Sequence, residues 1–133
     1  ALGNKYLIEA LNRVKNSFNS YTVDRIAQKA AVAAVHDNKY FTEVISRIIK
    51  TREATTKKLL SLGFDVLPSK TNFLFVSHGK ISGKELFLRL RQDGILVRHF
   101  EKQGIDNYLR ISIGTDEEMK VLISRLCSYI KSN

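Results

Sequence analysis

The residues best suited to chemistry lie near the C-terminal end, in Tyr108-Leu109-Arg110-Ile111-Ser112-Ile113. Alternation places Leu109, Ile111 and Ile113 on one face of a strand and Tyr108, Arg110 and Ser112 on the other. An arginine held in mid-strand between two hydroxyl-bearing side chains offers a guanidinium fork suited to bidentate binding of a carboxylate or a phosphate. Arg98 closes the apolar run Ile95-Leu96-Val97, and a strand there could set it beside Arg110. Spacing alone leaves a second reading open, in which both arginines simply decorate a solvated sheet face.

Other chemistries have weaker support. His36, His78 and His99 are far apart in sequence, and none sits beside a cysteine or a carboxylate cluster, so no zinc-ligand spacing appears. Cys127 falls on the apolar stripe of a C-terminal helix, where a free thiol behaves as a small hydrophobe. As the single cysteine it excludes an intrachain disulfide, and it fits a reducing, cytoplasmic setting. The seven glycines are dispersed and form no phosphate-cradling loop. Lys and Arg number 22 against 13 Asp and Glu, a net charge of +9. That excess is spread along the chain with no basic run, which argues against a nucleic-acid arm. The longest apolar run, Ala30 to Val35, is far below the roughly 18 residues of a membrane span.

The elements that must position the arginines follow from periodicity. Leu7, Ile8, Leu11 and Val14 predict a helix from Asn4 to Val14, broken by Asn16 to Ser20. A second helix is expected over Val23–Val35, with Thr22 as N-cap and an alanine face open to close approach. A long third helix is expected from Lys39 to Leu62, burying a stripe of Phe41, Val44, Ile45, Ile48, Ile49, Leu59 and Leu60, with Gly63 behind it. Beyond Gly63 the period shortens toward two. Strands are expected at Phe64–Leu67, Asn72–Ser77, Ile95–Phe100 and Tyr108–Ile113, the second of them central and well covered. The capping boxes Ser82-Gly83-Lys84-Glu85 and Thr115-Asp116-Glu117-Glu118 open two further helices. Three helices followed by β-β-α-β-β-α make an α+β chain: a small, mainly antiparallel sheet covered by helices on one face, preceded by a long connecting helix.

At this point a family resemblance becomes visible. Gly94-Ile95-Leu96-Val97-Arg98, then Tyr108 through Glu118, resembles the C-terminal end of the class I/II, pyridoxal-phosphate-dependent aminotransferases, and more narrowly the histidinol-phosphate group within them. Val14 through Arg25, Pro68-Ser69-Lys70-Thr71-Asn72-Phe73-Leu74-Phe75 and Ala1-Leu2-Gly3-Asn4 agree in the same order, so the resemblance spans essentially the whole chain. It implies that residues 39–133 form the small domain that closes over substrate, that residues 1–38 are interdomain helices, and that the large domain holding pyridoxal phosphate is absent. The cofactor-binding lysine would lie upstream of Ala1, and no lysine of this chain takes that role. The chain alone is therefore expected not to transaminate.

The resemblance carries substrate-binding roles onto Arg110, as the arginine that receives an acidic group of the substrate, onto Arg98, as a second anion-binding arginine, and onto Asn72 near the site. Tyr21, in the interdomain segment, receives no role beyond packing. The implied partners are a small phosphorylated amine and glutamate or 2-oxoglutarate, with no nucleic acid or membrane, in a homodimer of the full-length enzyme. The alternatives are another class I/II aminotransferase, a threonine-phosphate decarboxylase, or a stand-alone basic binding domain.

Overall fold

The computed structural model describes residues 2–18 and 23–131. Five helices and four strands occur among the described residues: α1 (Lys5–Phe18), α2 (Arg25–His36), α3 (Asn38–Ser61), β1 (Phe64–Val66), β2 (Phe73–His78), α4 (Gly83–Gln92), β3 (Arg98–His99), β4 (Leu109–Ser112) and α5 (Asp116–Lys131). The chain divides into two compact units, Ala1–Phe41 and Thr42–Asn133.

In the first unit, α1 continues past Val14 through Asn16 and Ser17 to Phe18. Each of those polar residues costs a helix well under 1 kcal/mol, and no Gly or Pro is present to stop it. Thr22, the expected cap of α2, and Tyr21 lie outside the described residues. The cap observed is Asp24, whose carboxylate accepts the Ala27 N–H at 2.8 Å, so α2 begins at Arg25. No residue of α2 is buried. Asp37 both stops α2, its N–H reaching the Ala33 and Ala34 carbonyls, and starts α3, its carboxylate accepting the Tyr40 N–H at 3.1 Å.

In the second unit the strands form one antiparallel sheet in the order β1-β2-β4-β3. Leu74, Val76, Leu109, Ile111 and Phe64 point to one face. There they meet Leu59 of α3, Leu86 and Leu90 of α4, and Met119, Leu122 and Leu126 of α5. The sheet is covered on this face by helices, the α+β arrangement expected from the sequence.

The buried stripe of α3 differs from expectation. Phe41, Ile45, Ile49 and Leu60 are exposed, while Thr51, Thr55 and Leu59 are buried. Periodicity counts threonine as polar. Here the Thr51 hydroxyl donates to Asp116 at 2.6 Å, which removes the cost of burying it and leaves its methyl free to pack. The strand expected from Ile95 forms only at Arg98–His99. Its first residues end α4 instead: Gly94, at φ +76°, and Ile95 return N–H groups to the Arg91 and Leu90 carbonyls in a Schellman pattern. The Thr115 box is complete, with Glu118 and Thr115 each accepting the other's N–H, at 2.7 and 3.2 Å. Cys127 is only half-buried.

Candidate anion site on the open sheet face

Burial of Leu109 and Ile111, at 1% and 2% exposure, turns Arg110 onto the uncovered face of β4. In register, Arg110 stands directly opposite Arg98 of β3 on one side and Phe75 of β2 on the other. Two guanidinium-bearing residues are thus facing neighbours in one ladder, an arrangement in which like charges destabilise a sheet. Among the described residues neither arginine has a carboxylate within 4.0 Å; the ion pairs are Arg13–Glu9, Lys84–Glu101, Arg89–Glu85 and Arg125–Asp93. Facing cations with no counter-charge among the described residues have the chemistry to receive an anionic group.

Aromatic rings surround the two arginines. Phe75 stacks on Tyr108, centroids 4.7 Å apart, and meets Phe100 edge-on at 5.9 Å. The Arg110 guanidinium carbon lies 5.1 Å from the Phe73 ring centroid, and that of Arg98 lies 5.2 Å from Phe100. The run Phe73-Leu74-Phe75-Val76 suggests a central, well-covered strand. β2 is central, but Phe73 and Phe75 remain half-exposed on the open face.

The segment joining the two arginines is anchored at several points. The His99 Nε2–H donates to the Asp106 carbonyl at 2.7 Å, and the His99 ring stacks on Phe87 of α4. The Asn107 Oδ1 accepts the Gly83 N–H at 2.8 Å, and a Cβ at Gly83 would come within 2.7 Å of the Asn107 carbonyl. These contacts, which spacing in the sequence did not reveal, set the register that pairs Arg98 with Arg110.

Asn72 stands differently from the arginines. Its carbonyl accepts the Ile113 N–H at 2.8 Å at the end of the β2–β4 ladder, and its side chain is exposed. No hydrogen bond among the described residues links that side chain to Arg98 or Arg110. The preceding turn is held by Ser69, whose hydroxyl donates to the Phe73 carbonyl at 2.7 Å, and by Arg52 of α3 on the Thr71 carbonyl at 2.7 Å.

A groove of about 740 Å³ between α3 and α5 contains neither arginine. No group of three His, Cys, Asp or Glu side chains able to hold a metal occurs among the described residues. The one strongly displaced pKa is in the helical layer: burial and the hydrogen bond to Asp93 push Tyr129 up to about 12.

Comparison with known proteins gives a consistent picture. Residues 1–126 match the family model of the class I and II aminotransferases. The chain is 54% identical over 133 residues to a histidinol-phosphate aminotransferase of Clostridium beijerinckii, covering all of this chain and 37% of that protein. It is 53% identical over 126 residues to the histidinol-phosphate aminotransferase of Chromohalobacter salexigens, covering 95% of this chain and 36% of that one. Among solved structures, the histidinol-phosphate aminotransferase of Sinorhizobium meliloti in complex with pyridoxal-5'-phosphate superposes with a TM-score of 0.75 at 32% identity, over 93% of this chain and 34% of that one. The chain spans a little over a third of the length of these relatives.

Proposed function

The chain belongs to the class I and II aminotransferase family, and from that premise we propose that it is the substrate-closing part of a histidinol-phosphate aminotransferase. In this reading, residues 39–133 form the small domain and residues 1–38 the helices leading into it. The reaction is amino transfer between histidinol phosphate and 2-oxoglutarate, a step of histidine biosynthesis. Support comes from the similarity to relatives bearing that name and from one structural observation, the facing and uncompensated pair Arg98 and Arg110.

Pyridoxal phosphate, when bound, supplies the electron sink for such a reaction. The open face described above does not fit its reactive end: Phe73, Phe75, Tyr108, Arg98, Arg110 and Ser112 include no lysine for the aldehyde and no carboxylate for the ring nitrogen. Its binding groups then belong to the remaining two-thirds of the enzyme. What these residues do is bind and orient. Arg110 and Arg98 receive the phosphate of histidinol phosphate, and in the other half-reaction Arg110 receives a carboxylate of glutamate, since both ligands present oxygens to the same fork. Asn72, at the rim, is assigned a weaker polar contact. Domain closure would bring the arginines onto the ligand and exclude water together.

The protein in this reading is a cytoplasmic homodimer. A single cysteine fits a reducing compartment, and among the described residues no helix is long and apolar enough to cross a membrane. Nucleic acid is not among its partners in this reading, because the positive charge is spread along the sequence with no basic run. The test is steady-state transamination by the full-length enzyme. Arg110→Ala is expected to lower kcat/KM for histidinol phosphate by about 100-fold, equivalent to roughly 2.7 kcal/mol. An unchanged kcat/KM would overturn the assignment.

A further inference from the structure

The two arginines are not free to point anywhere. On the open face the ladder places Phe73 opposite Ser112, then Phe75, Arg110 and Arg98 abreast; Tyr108 precedes β4 and Phe100 follows β3 on the side away from Phe73. Phe73 lies on one side of the arginines, and Phe100 on the other side. Arg110 is held over Phe73 and Arg98 over Phe100, at 5.1 and 5.2 Å from the ring centroids. Each ring therefore draws one guanidinium along the strands in the opposite direction from the other. A cation is attracted to the face of an aromatic ring, and that attraction here acts on two like charges that the backbone register has put side by side. Among the described residues neither arginine has a carboxylate within 4.0 Å that could hold it instead.

We propose that Phe73 and Phe100 are positioning residues for the anion site: each holds one guanidinium by its ring face, splaying the two forks toward opposite ends of the β3–β4 ladder and keeping the space between them open before ligand arrives. Arginine side chains lose considerable rotamer freedom on binding, and a fork already held in place loses less. The rings touch no reacting atom; they act through the arginines. Phe75 and Tyr108, stacked on each other at 4.7 Å, floor the open face beside the two clamps.

The proposal rests on the assignment of Arg98 and Arg110 to the substrate phosphate, and the experiment separates the two. In the full-length enzyme, inorganic phosphate is used as a competitive inhibitor against histidinol phosphate, and variants are compared by phosphate Ki, KM and kcat. Phe73→Leu and Phe100→Leu keep apolar volume and lose the ring face. Each is expected to raise phosphate Ki and substrate KM about two- to fivefold with kcat little changed, and Phe73→Tyr and Phe100→Tyr, which keep the ring face, are expected to restore both. A merely structural role would lower thermal stability and kcat without separating Leu from Tyr. If Arg110→Ala leaves phosphate Ki unchanged, the functional assignment falls and this proposal with it. If Arg110→Ala raises Ki while the Leu variants match the parent enzyme, or Leu and Tyr behave alike, the positioning role alone is overturned.

Discussion

The two faces of the sheet are made by alternate residues of the same strands, yet they answer to different demands. On the helix side, Leu74, Val76, Leu109 and Ile111 are almost wholly buried and pack on α3, α4 and α5. On the other side, Phe73, Phe75, Arg98 and Arg110 remain partly or fully exposed, with two cations abreast. The first face lowers the free energy of folding by removing apolar surface from water. The second sets two cations abreast with no carboxylate within 4.0 Å among the described residues, an arrangement suited to an anion rather than to packing. Stability and the proposed binding are thus divided between alternate positions about 3.4 Å apart along a strand.

The largest test of that division lies on the covered face. Leu74→Ala would leave a cavity beneath the centre of the sheet and is expected to cost roughly 2–5 kcal/mol, read from urea unfolding. A loss well under 1 kcal/mol would mean that this layer is not the core. A smaller effect is expected within the helical layer, where Tyr129 of α5 donates its hydroxyl to Asp93 at the end of α4. Tyr129→Phe should cost about 1 kcal/mol near neutral pH. The phenol titrates near 10 in the unfolded chain and is pushed up to about 12 in the folded one. Its contribution is therefore complete below pH 10 and is lost as the pH rises toward 12, where the phenolate is favoured by unfolding. Parent and variant stabilities should converge over that window in a pH series of thermal melts. The smallest effect sharpens the comparison most, because its sign reverses. Arg98→Ala removes one of two facing cations and should leave stability unchanged or raise it by a few tenths of a kcal/mol, while anion affinity falls. A clear loss of stability would show that the open face also supports the fold.

Much of this architecture was legible in local pattern. The capping boxes at Ser82 and Thr115 opened α4 and α5 where expected, and the alternation around Arg110 turned it away from Leu109 and Ile111 as read. The structure departs from local pattern where a signal is weak or has a competitor, near or distant. Asn16 and Ser17 looked like a break but were too weak to stop α1. Thr51 and Thr55 looked solvated, yet lie buried on α3, with the Thr51 hydroxyl partnered by Asp116, 65 residues away. Ile95 looked like the start of a strand and was instead used to finish α4. Arg98 and Arg110 stand out within their own segments, whereas nothing local to Phe73 or Phe100 pairs those rings with the guanidiniums. Asn72 was carried over by resemblance, and its side chain meets neither arginine through a hydrogen bond.

The amino-acid order by itself determined the helices and strands, the inward and outward sides of β2 and β4, and the family the chain resembles, because each depends on interactions within a few residues. Tertiary structure decided that β3 lies against β4 in the register that sets Arg98 opposite Arg110. It also decided that β2 brings Phe73 beneath one guanidinium, and that Gly83 and Asn107 tie the intervening loop to α4. Strand partners and register come from packing between distant segments, and a two-residue period specifies which side a residue faces without specifying what it faces.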